Sequence, residues 1–176
     1  MIDLLASAIE YEAEGDIKMA IATYRKLLAA EPGNAVARVN LGTILYMRRQ
    51  YQAATDMYRA AIATDPSYAL AHFNLANALD EIGQPVEATR SYQVAIQLAP
   101  TYADAHYNLA ILQQKMHEPH KALTHWRKYA KLDLTGVWHD YATEQVRLLS
   151  SSTFNVIGNS SKPRRTKRRA KLFIVR

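Results

Sequence analysis

The chain repeats itself every 34 residues, and this period restricts the fold more than any other feature of the sequence. A proline, an alanine, an aromatic residue and a leucine each recur at this interval. The recurring residues are Pro32, Pro66 and Pro100; Ala20, Ala54, Ala88 and Ala122; Tyr24, Tyr58, Tyr92 and Trp126; and Leu41, Leu75 and Leu109. Residues 35–68 and 69–102 align without a gap and share 13 of 34 positions. Such a period predicts stacked copies of one supersecondary unit.

Each unit is predicted to consist of two amphipathic helices joined by a turn. In the second unit, Leu41, Leu45 and Arg49 fall on one face of the first helix at positions i, i+4 and i+8. Gly15 and Gly83 follow the first helix of their units, where a left-handed backbone conformation ends a helix readily. The pattern therefore predicts helical hairpins that bury one face against their neighbours.

These residues resemble the tetratricopeptide repeat (TPR) family, whose unit is a 34-residue helix–turn–helix. The pattern is similar to the asparagine-bearing TPR superhelix of protein O-glycosyltransferases and to similar bacterial TPR proteins, without any catalytic domain. The resemblance implies an all-α fold, a right-handed TPR solenoid of four repeats followed by a capping helix. The expected divisions are a TPR domain over 1–150, with repeats at about 1–34, 35–68, 69–102 and 103–136 and a capping helix over 137–150, and a disordered basic tail over 151–176.

A second set of side chains lies on the first helix of each unit, opposite the packing face. In the related superhelices this face lines a concave groove, so the resemblance implies a peptide-binding role for it. We call this set the inner stripe; its members are Val36, Asn40, Thr43 and Met47, then Leu70, Phe73, Asn74 and Asn77, then Tyr107, Asn108 and Ile111.

Asn40, Asn74 and Asn108 occupy the same slot in three consecutive repeats. An amide both donates and accepts hydrogen bonds, so a series of them can hold the backbone of an extended peptide. The alternative is that these amides bond to an adjacent helix or to water. A clamp for the carboxylate terminus of a chaperone needs several basic residues on this face, and few are present.

The positive charge of the chain is concentrated at its end. Residues 159–176 hold eight of the 22 lysines and arginines and no acid, which leaves the remaining chain slightly acidic. Three roles are compatible with this run: binding of nucleic acid or another polyanion, a nuclear localisation signal, and contact with an anionic membrane surface. A fourth interpretation is that the run is a solvated tail without a dedicated role. The basic candidates are Lys162, Arg164, Arg165, Lys167, Arg168, Arg169 and Lys171.

Several classes of function lack their sequence signatures. The chain has no cysteine, no phosphate-binding glycine loop and no nucleophile motif, so we expect neither an enzyme nor a bound cofactor. His117 and His120 lie near a turn without further ligands at suitable spacing, so no metal site is expected. His72 and His106 share one repeat slot and are expected to pack or to bond between helices.

The predicted function is therefore a protein-interaction scaffold that binds an extended peptide of a partner. The alternative is an adaptor that associates with nucleic acid or another polyanion through its basic tail. No apolar run approaches the length of a transmembrane helix, and the start of the sequence lacks the features of a signal peptide. We therefore expect a cytoplasmic protein, or a nuclear one if the organism has a nucleus.

Overall fold

The computed structural model describes residues 3–152, and this part of the chain consists of helices and short loops without strands. The helices come in hairpins, in register with the 34-residue period. Their bounds are α1 Leu4–Glu14, α2 Ile17–Ala30, α3 Ala35–Met47, α4 Tyr51–Thr64, α5 Ala69–Glu81, α6 Pro85–Leu98, α7 Ala103–Lys115, α8 Pro119–Leu132 and α9 His139–Ser152. The prediction of an all-α fold made of helical hairpins is confirmed.

The described residues form two compact units, which divide between Ala99 and Pro100. The first unit contains three hairpins, α1–α2, α3–α4 and α5–α6. In it, α2 packs on α3, α4 packs on α5, and α3 also contacts α5. The second unit contains the hairpin α7–α8 and the last helix, α9, which packs on α8.

Small residues let the two helices of a hairpin approach each other around one large aromatic ring. Tyr58 on α4 is fully buried, and it faces Gly42 on α3. A Cβ atom placed on Gly42 would lie 2.7 Å from Tyr58 Cε1, which is closer than two carbon atoms pack. Ala54 and Ala88, in the alanine slot of the repeat, have no exposed surface. Close packing of this kind makes the hairpin sensitive to a single added carbon.

The turn inside each hairpin contains one residue in the left-handed conformation, always at the same repeat position. Gly15 and Gly83 have φ angles of 81° and 78°, which confirms the prediction for both. The equivalent residues Arg49 and His117, with φ angles of 61° and 60°, adopt this conformation without being glycine. Arg49 was predicted on the packing face of the first helix, and this is wrong. Helix α3 ends at Met47, because the left-handed conformation of Arg49 turns the chain out of the helix.

The last helix covers apolar surface within the second unit. Trp138, Tyr141, Val146 and Leu149 pack against a cluster that contains Tyr107, Ala110, Ala122, Trp126, Tyr129 and Ala142. Gln114 on α7 joins the layers, since its Oε1 accepts from Trp126 Nε1 at 3.0 Å and its Nε2 donates to Gln145 Oε1 at 2.9 Å. Aromatic burial and these two polar contacts attach α9 to the hairpin.

Candidate peptide-binding face

In the first unit the inner stripe divides into accessible and enclosed side chains. Met47 is the most accessible member, at 63% exposed, and Val36 and Leu70 are partly buried. The enclosed members, each at most 3% exposed, are Asn40, Thr43, Phe73, Asn74 and Asn77. The accessible surface of the stripe on α3 and α5 is therefore mainly apolar, and its polar groups lie beneath that surface.

Asn40 belongs to a chain of hydrogen bonds that links three helices. Its Nδ2 donates to the hydroxyl oxygen of Tyr24 at 3.1 Å, and the Tyr24 hydroxyl donates to Glu12 Oε2 at 2.6 Å. Burial raises the pKa of Glu12, and this outweighs the lowering effect of the hydrogen bond from Tyr24. The pKa of Tyr24 is also raised, first by burial and then by its bond to the carboxylate. This chain connects α1 and α2 to α3.

Asn74, in the same slot one repeat later, has a less complete set of contacts. Its Nδ2 donates to Thr43 Oγ1 over 3.5 Å, and Tyr58 donates to the same oxygen over 3.4 Å. Asn74 Oδ1 is buried and accepts no hydrogen bond from any residue within 3–152. A buried polar atom without a partner costs about 1–3 kcal/mol, so this amide is the less well satisfied of the two.

The third hairpin repeats the contact between an aromatic hydroxyl and the first helix. Tyr92 donates to Asn77 Oδ1 at 2.6 Å, and the ring of Tyr92 lies 5.9 Å from that of Phe73. Tyr92 and Asn77 each follow Tyr58 and Thr43 by 34 residues, so this bond is a repeat of the one in the second hairpin. The buried tyrosines of the second helices thus orient the polar residues of the inner stripe.

The sequence allowed two roles for the repeated asparagines, peptide binding and hydrogen bonding to an adjacent helix, and these bonds correspond to the second. For Asn40 and Asn74 the structure shows side-chain partners in neighbouring helices. A peptide-binding role for the inner stripe stays a prediction.

The second unit holds the last three members of the stripe. Tyr107 is 5% exposed, and its ring lies 5.1 Å from those of Trp126 and Tyr129. Asn108 and Ile111 are partly buried, and Ile111 packs against the same aromatic cluster. Tyr107 is thus a core residue of this unit, whereas Asn108 retains some accessible surface.

A pair of histidines lies between α7 and α8. His106 Nδ1 and His125 Nδ1 are 3.0 Å apart, and His106 Nε2 lies 3.2 Å from the carbonyl oxygen of Pro100. Because a carbonyl only accepts, His106 carries its proton on Nε2, so its Nδ1 accepts from His125. Burial lowers the pKa of both rings, and that of His125 falls to about 4 with a further contribution from His106. The prediction that His106 bonds between helices is confirmed.

An open cleft that the sequence did not predict lies between the first and second hairpins. Its volume is about 990 Å³. Its lining includes Arg25 and Leu28 from α2, Leu41 and Leu45 from α3, and Arg49 from the following turn. We call it the first-junction cleft. The available signal was a comparison of equivalent repeat positions, since Arg49 stands where two other repeats have glycine.

The basic candidates between Lys162 and Lys171 lie outside the described residues, so their role in polyanion binding stays a prediction. Within residues 3–152, no group of three or more histidine or acidic side chains is placed to hold a metal ion. In the same range, no helix is long and apolar enough to cross a membrane.

Two models of the tetratricopeptide repeat match the chain, one over residues 5–69 and the other over 57–90 and 91–124. Together they cover more than half of the sequence, with the same period as the hairpins. The chain belongs to the tetratricopeptide repeat family. The predicted TPR solenoid is thereby confirmed as its fold class.

One curated relative is Surface lipoprotein assembly modifier 1 of Neisseria meningitidis serogroup B. It is 41% identical over 56 residues, which are 32% of this chain and 12% of the relative. The match therefore spans a small part of that protein's length. It covers too little of the relative to identify a shared activity.

Solved structures show the same fold over most of the chain. A crystal structure of MamA matches with a TM-score of 0.76 and 24% identity, over 86% of this chain and 81% of that one. YrrB, described as a TPR protein with an unusual peptide-binding site, gives 0.74 and 19%, over 88% and 78%. The O-GlcNAc transferase of Thermobaculum terrenum gives 0.67 and 28%, over 73% of this chain and 25% of the enzyme. The similarity to the superhelix of O-glycosyltransferases thus concerns a quarter of that enzyme.

Proposed function

We propose that this TPR protein is a non-catalytic interaction module that binds an extended segment of a protein partner along the inner stripe of α3 and α5. Family membership supports binding of a protein, and peptide binding by the structurally similar YrrB supports a peptide as the ligand. The partner segment would lay apolar side chains on Met47, Val36 and Leu70, which keep accessible surface on this face.

The observation that carries the proposal is the unpaired acceptor of Asn74. Its Oδ1 lies beneath the apolar surface and has no hydrogen-bond partner within residues 3–152. A peptide N–H that bonded to this oxygen would remove the cost of leaving it unpaired. Leu70 lies one turn earlier on α5 and is partly exposed, so it is the neighbour that we expect to move when a peptide binds.

Asn40 has a different role in this proposal. Because its amide already donates to Tyr24 in the preceding hairpin, it positions α3 rather than contacting the ligand. Peptide affinity should therefore depend on Asn74 more than on Asn40, although the two residues occupy the same repeat slot.

The proposal is tested by selecting peptides from a phage-displayed library on the full chain and measuring their affinity by fluorescence anisotropy. Met47→Asp and Leu70→Ser should each weaken binding about tenfold or more, because they remove apolar contacts at the accessible part of the face. Leu98→Ser is the matched control, since Leu98 is 41% exposed on α6 and lies outside the stripe. The proposal would be contradicted if every selected peptide kept its affinity in both stripe variants.

A further inference from the structure

The first-junction cleft lacks an acidic residue that is present at the junction between the second and third hairpins. Between the second and third hairpins, Arg59 on α4 forms a 2.7 Å ion pair with Glu87 on α6. The residues 34 positions earlier are Arg25 and Ala53. The arginine is thus present at both junctions, but its glutamate partner is present only at the second. At the first junction Arg25 is exposed and has no hydrogen bond or ion pair with any residue of the described range 3–152.

Arg49 brings a second guanidinium to the same cleft, from a backbone position that suits glycine. It lies in the turn between α3 and α4 with a φ angle of 61°, where Gly15 and Gly83 stand in two other hairpins. The left-handed conformation costs a residue with a Cβ about 1–2 kcal/mol. Arg49 is exposed, lines the cleft, and forms no ion pair or hydrogen bond through its side chain with residues 3–152.

The cleft also has apolar lining residues, which we call its floor. Leu28, Leu41 and Leu45 form this floor, and the cleft volume of about 990 Å³ admits several side chains. One acid, Asp56, also borders the cleft, but it accepts a hydrogen bond from Gln52 at 3.4 Å and lies in no ion pair with either arginine. The cleft therefore combines an apolar floor with two cations that lack an acidic partner in the described fold.

We propose that the first-junction cleft docks an acidic segment of a protein partner, whose carboxylates pair with Arg25 and Arg49 while its apolar side chains pack on the leucine floor. The partner's carboxylate takes the place that Glu87 occupies at the second junction. Arginine suits this role because its planar guanidinium binds a carboxylate through two parallel hydrogen bonds. The chain's own residues 159–176 do not suit it, since they are basic and contain no acidic side chain.

This site is distinct from the inner stripe. Leu41 and Leu45 project from the packing side of α3, opposite Asn40 and Met47, so a ligand of the cleft does not occupy the stripe. The two sites can therefore be tested separately in one protein. Failure of either proposal leaves the other standing.

The test is a selection from a phage-displayed peptide library on the full chain, after depletion on the full-length double variant Arg25→Gln and Arg49→Gly. Depletion removes peptides that bind the basic tail or the inner stripe, because the double variant retains both. We expect the remaining peptides to combine aspartate or glutamate with leucine, isoleucine or phenylalanine. Their affinity, measured by fluorescence anisotropy, should fall about tenfold or more for each single variant, as for loss of one charged contact.

Two further variants separate binding from folding. Ala53→Glu supplies the glutamate of the second junction, so it should pair with Arg25 and weaken binding without unfolding the protein. Arg49→Gly should weaken binding while the melting temperature stays the same or rises, because glycine relieves the left-handed strain. Arg59→Gln is the matched control, since this arginine is already paired, and it should leave affinity unchanged.

Three results would overturn the proposal. The first is that no peptide survives depletion on the double variant. The second is that the surviving peptides bind Ala53→Glu as tightly as the parent, or lose affinity with Met47→Asp instead. The third is that single-stranded DNA, used as a second probe, depends on Arg25 and Arg49 whereas acidic peptides do not.

Discussion

Asn40 and Asn74 occupy the same repeat slot, but their replacement by alanine should have different effects on stability. Asn40→Ala removes a buried hydrogen bond of 3.1 Å to Tyr24, which contributes about 0.5–1.5 kcal/mol. Truncation also leaves a small void, and alanine returns about 0.5 kcal/mol of helix propensity. Tyr24 keeps Glu12 as a partner, so no hydroxyl is left unpaired. We expect a net loss of about 1–2 kcal/mol in the free energy of unfolding.

Asn74→Ala removes a weaker hydrogen bond and, with it, a buried oxygen that has no partner within residues 3–152. The bond to Thr43 is 3.5 Å long, and the deleted Oδ1 is the buried acceptor without a partner in the described chain. Relief of that unpaired oxygen offsets the lost bond and the void, so the free energy of unfolding should change by less than about 0.5 kcal/mol or increase. The predicted difference between the two variants is therefore at least about 1 kcal/mol.

Urea denaturation of the full chain measures this difference. Far-UV circular dichroism follows all helices, whereas the fluorescence of Trp126 and Trp138, the two tryptophans of the sequence, reports on the second unit. Both substitutions lie in the first unit, so the circular dichroism midpoint of Asn40→Ala should fall more than its fluorescence midpoint. Equal destabilisation by the two variants would show that Asn74 Oδ1 is satisfied in solution, which would refute the reasoning.

The same two variants connect stability to function. If a peptide N–H bonds to Asn74 Oδ1, Asn74→Ala should weaken peptide affinity by about 0.5–1.5 kcal/mol while leaving stability unchanged. Asn40→Ala should lower stability, with unchanged affinity of the folded fraction. The opposite pattern would assign the ligand contact to Asn40.

Further changes to the protein also have predicted outcomes. Gly42→Ala should destabilise the protein by about 1 kcal/mol in thermal melts, because the clash with Tyr58 exceeds the gain in helix propensity; Ala76→Gly, in the same slot, should cost a similar amount by the reverse effect on propensity. His125 has a pKa of about 4 in the folded protein, below its unfolded value. Its neutral form therefore contributes to the free energy of unfolding above about pH 6.5, and this contribution is lost as pH falls toward 4. Urea denaturation followed by tryptophan fluorescence should show that the free energy of unfolding falls by about 1–2 kcal/mol between pH 6.5 and pH 4, after allowance for screening. The substitution His125→Gln should reduce this pH dependence. Deletion of 159–176 should abolish binding to single-stranded DNA in a salt titration without changing helix content; retained binding would assign it to the helical repeats.

The sequence predicts the helical hairpins well because their determinants are local and repeated. The 34-residue spacing, the alanine and aromatic slots and the glycines of the turns each act within one unit or between adjacent units. Gly83 after α5 illustrates this, since glycine at that position is enough to predict the left-handed conformation. Arg49 adopts the same conformation although its residue type disfavours it, so only comparison with equivalent positions could have found it.

Burial on the inner stripe could not be predicted in the same way. Helical spacing gives the direction of a side chain but not the distance to the next hairpin, which depends on the packing of several residues. Phe73 and Asn74 are therefore covered, whereas Met47, near the end of its helix, remains 63% exposed. The bond from Asn40 to Tyr24 spans two hairpins, and nothing in either residue alone indicates it.

Departures from the repeat identify the positions at which a copy is no longer interchangeable with its neighbours. An ion pair such as that of Arg59 and Glu87, between exposed side chains, contributes little to stability, so its absence at the first junction costs the fold little. Arg49 in a turn slot that is glycine in two other hairpins is different, because its backbone strain lowers stability without a compensating side-chain contact in the described residues. Both departures act on one cleft and both increase its unpaired positive charge. An acidic partner would account for both features, because each leaves a guanidinium that a carboxylate can bind.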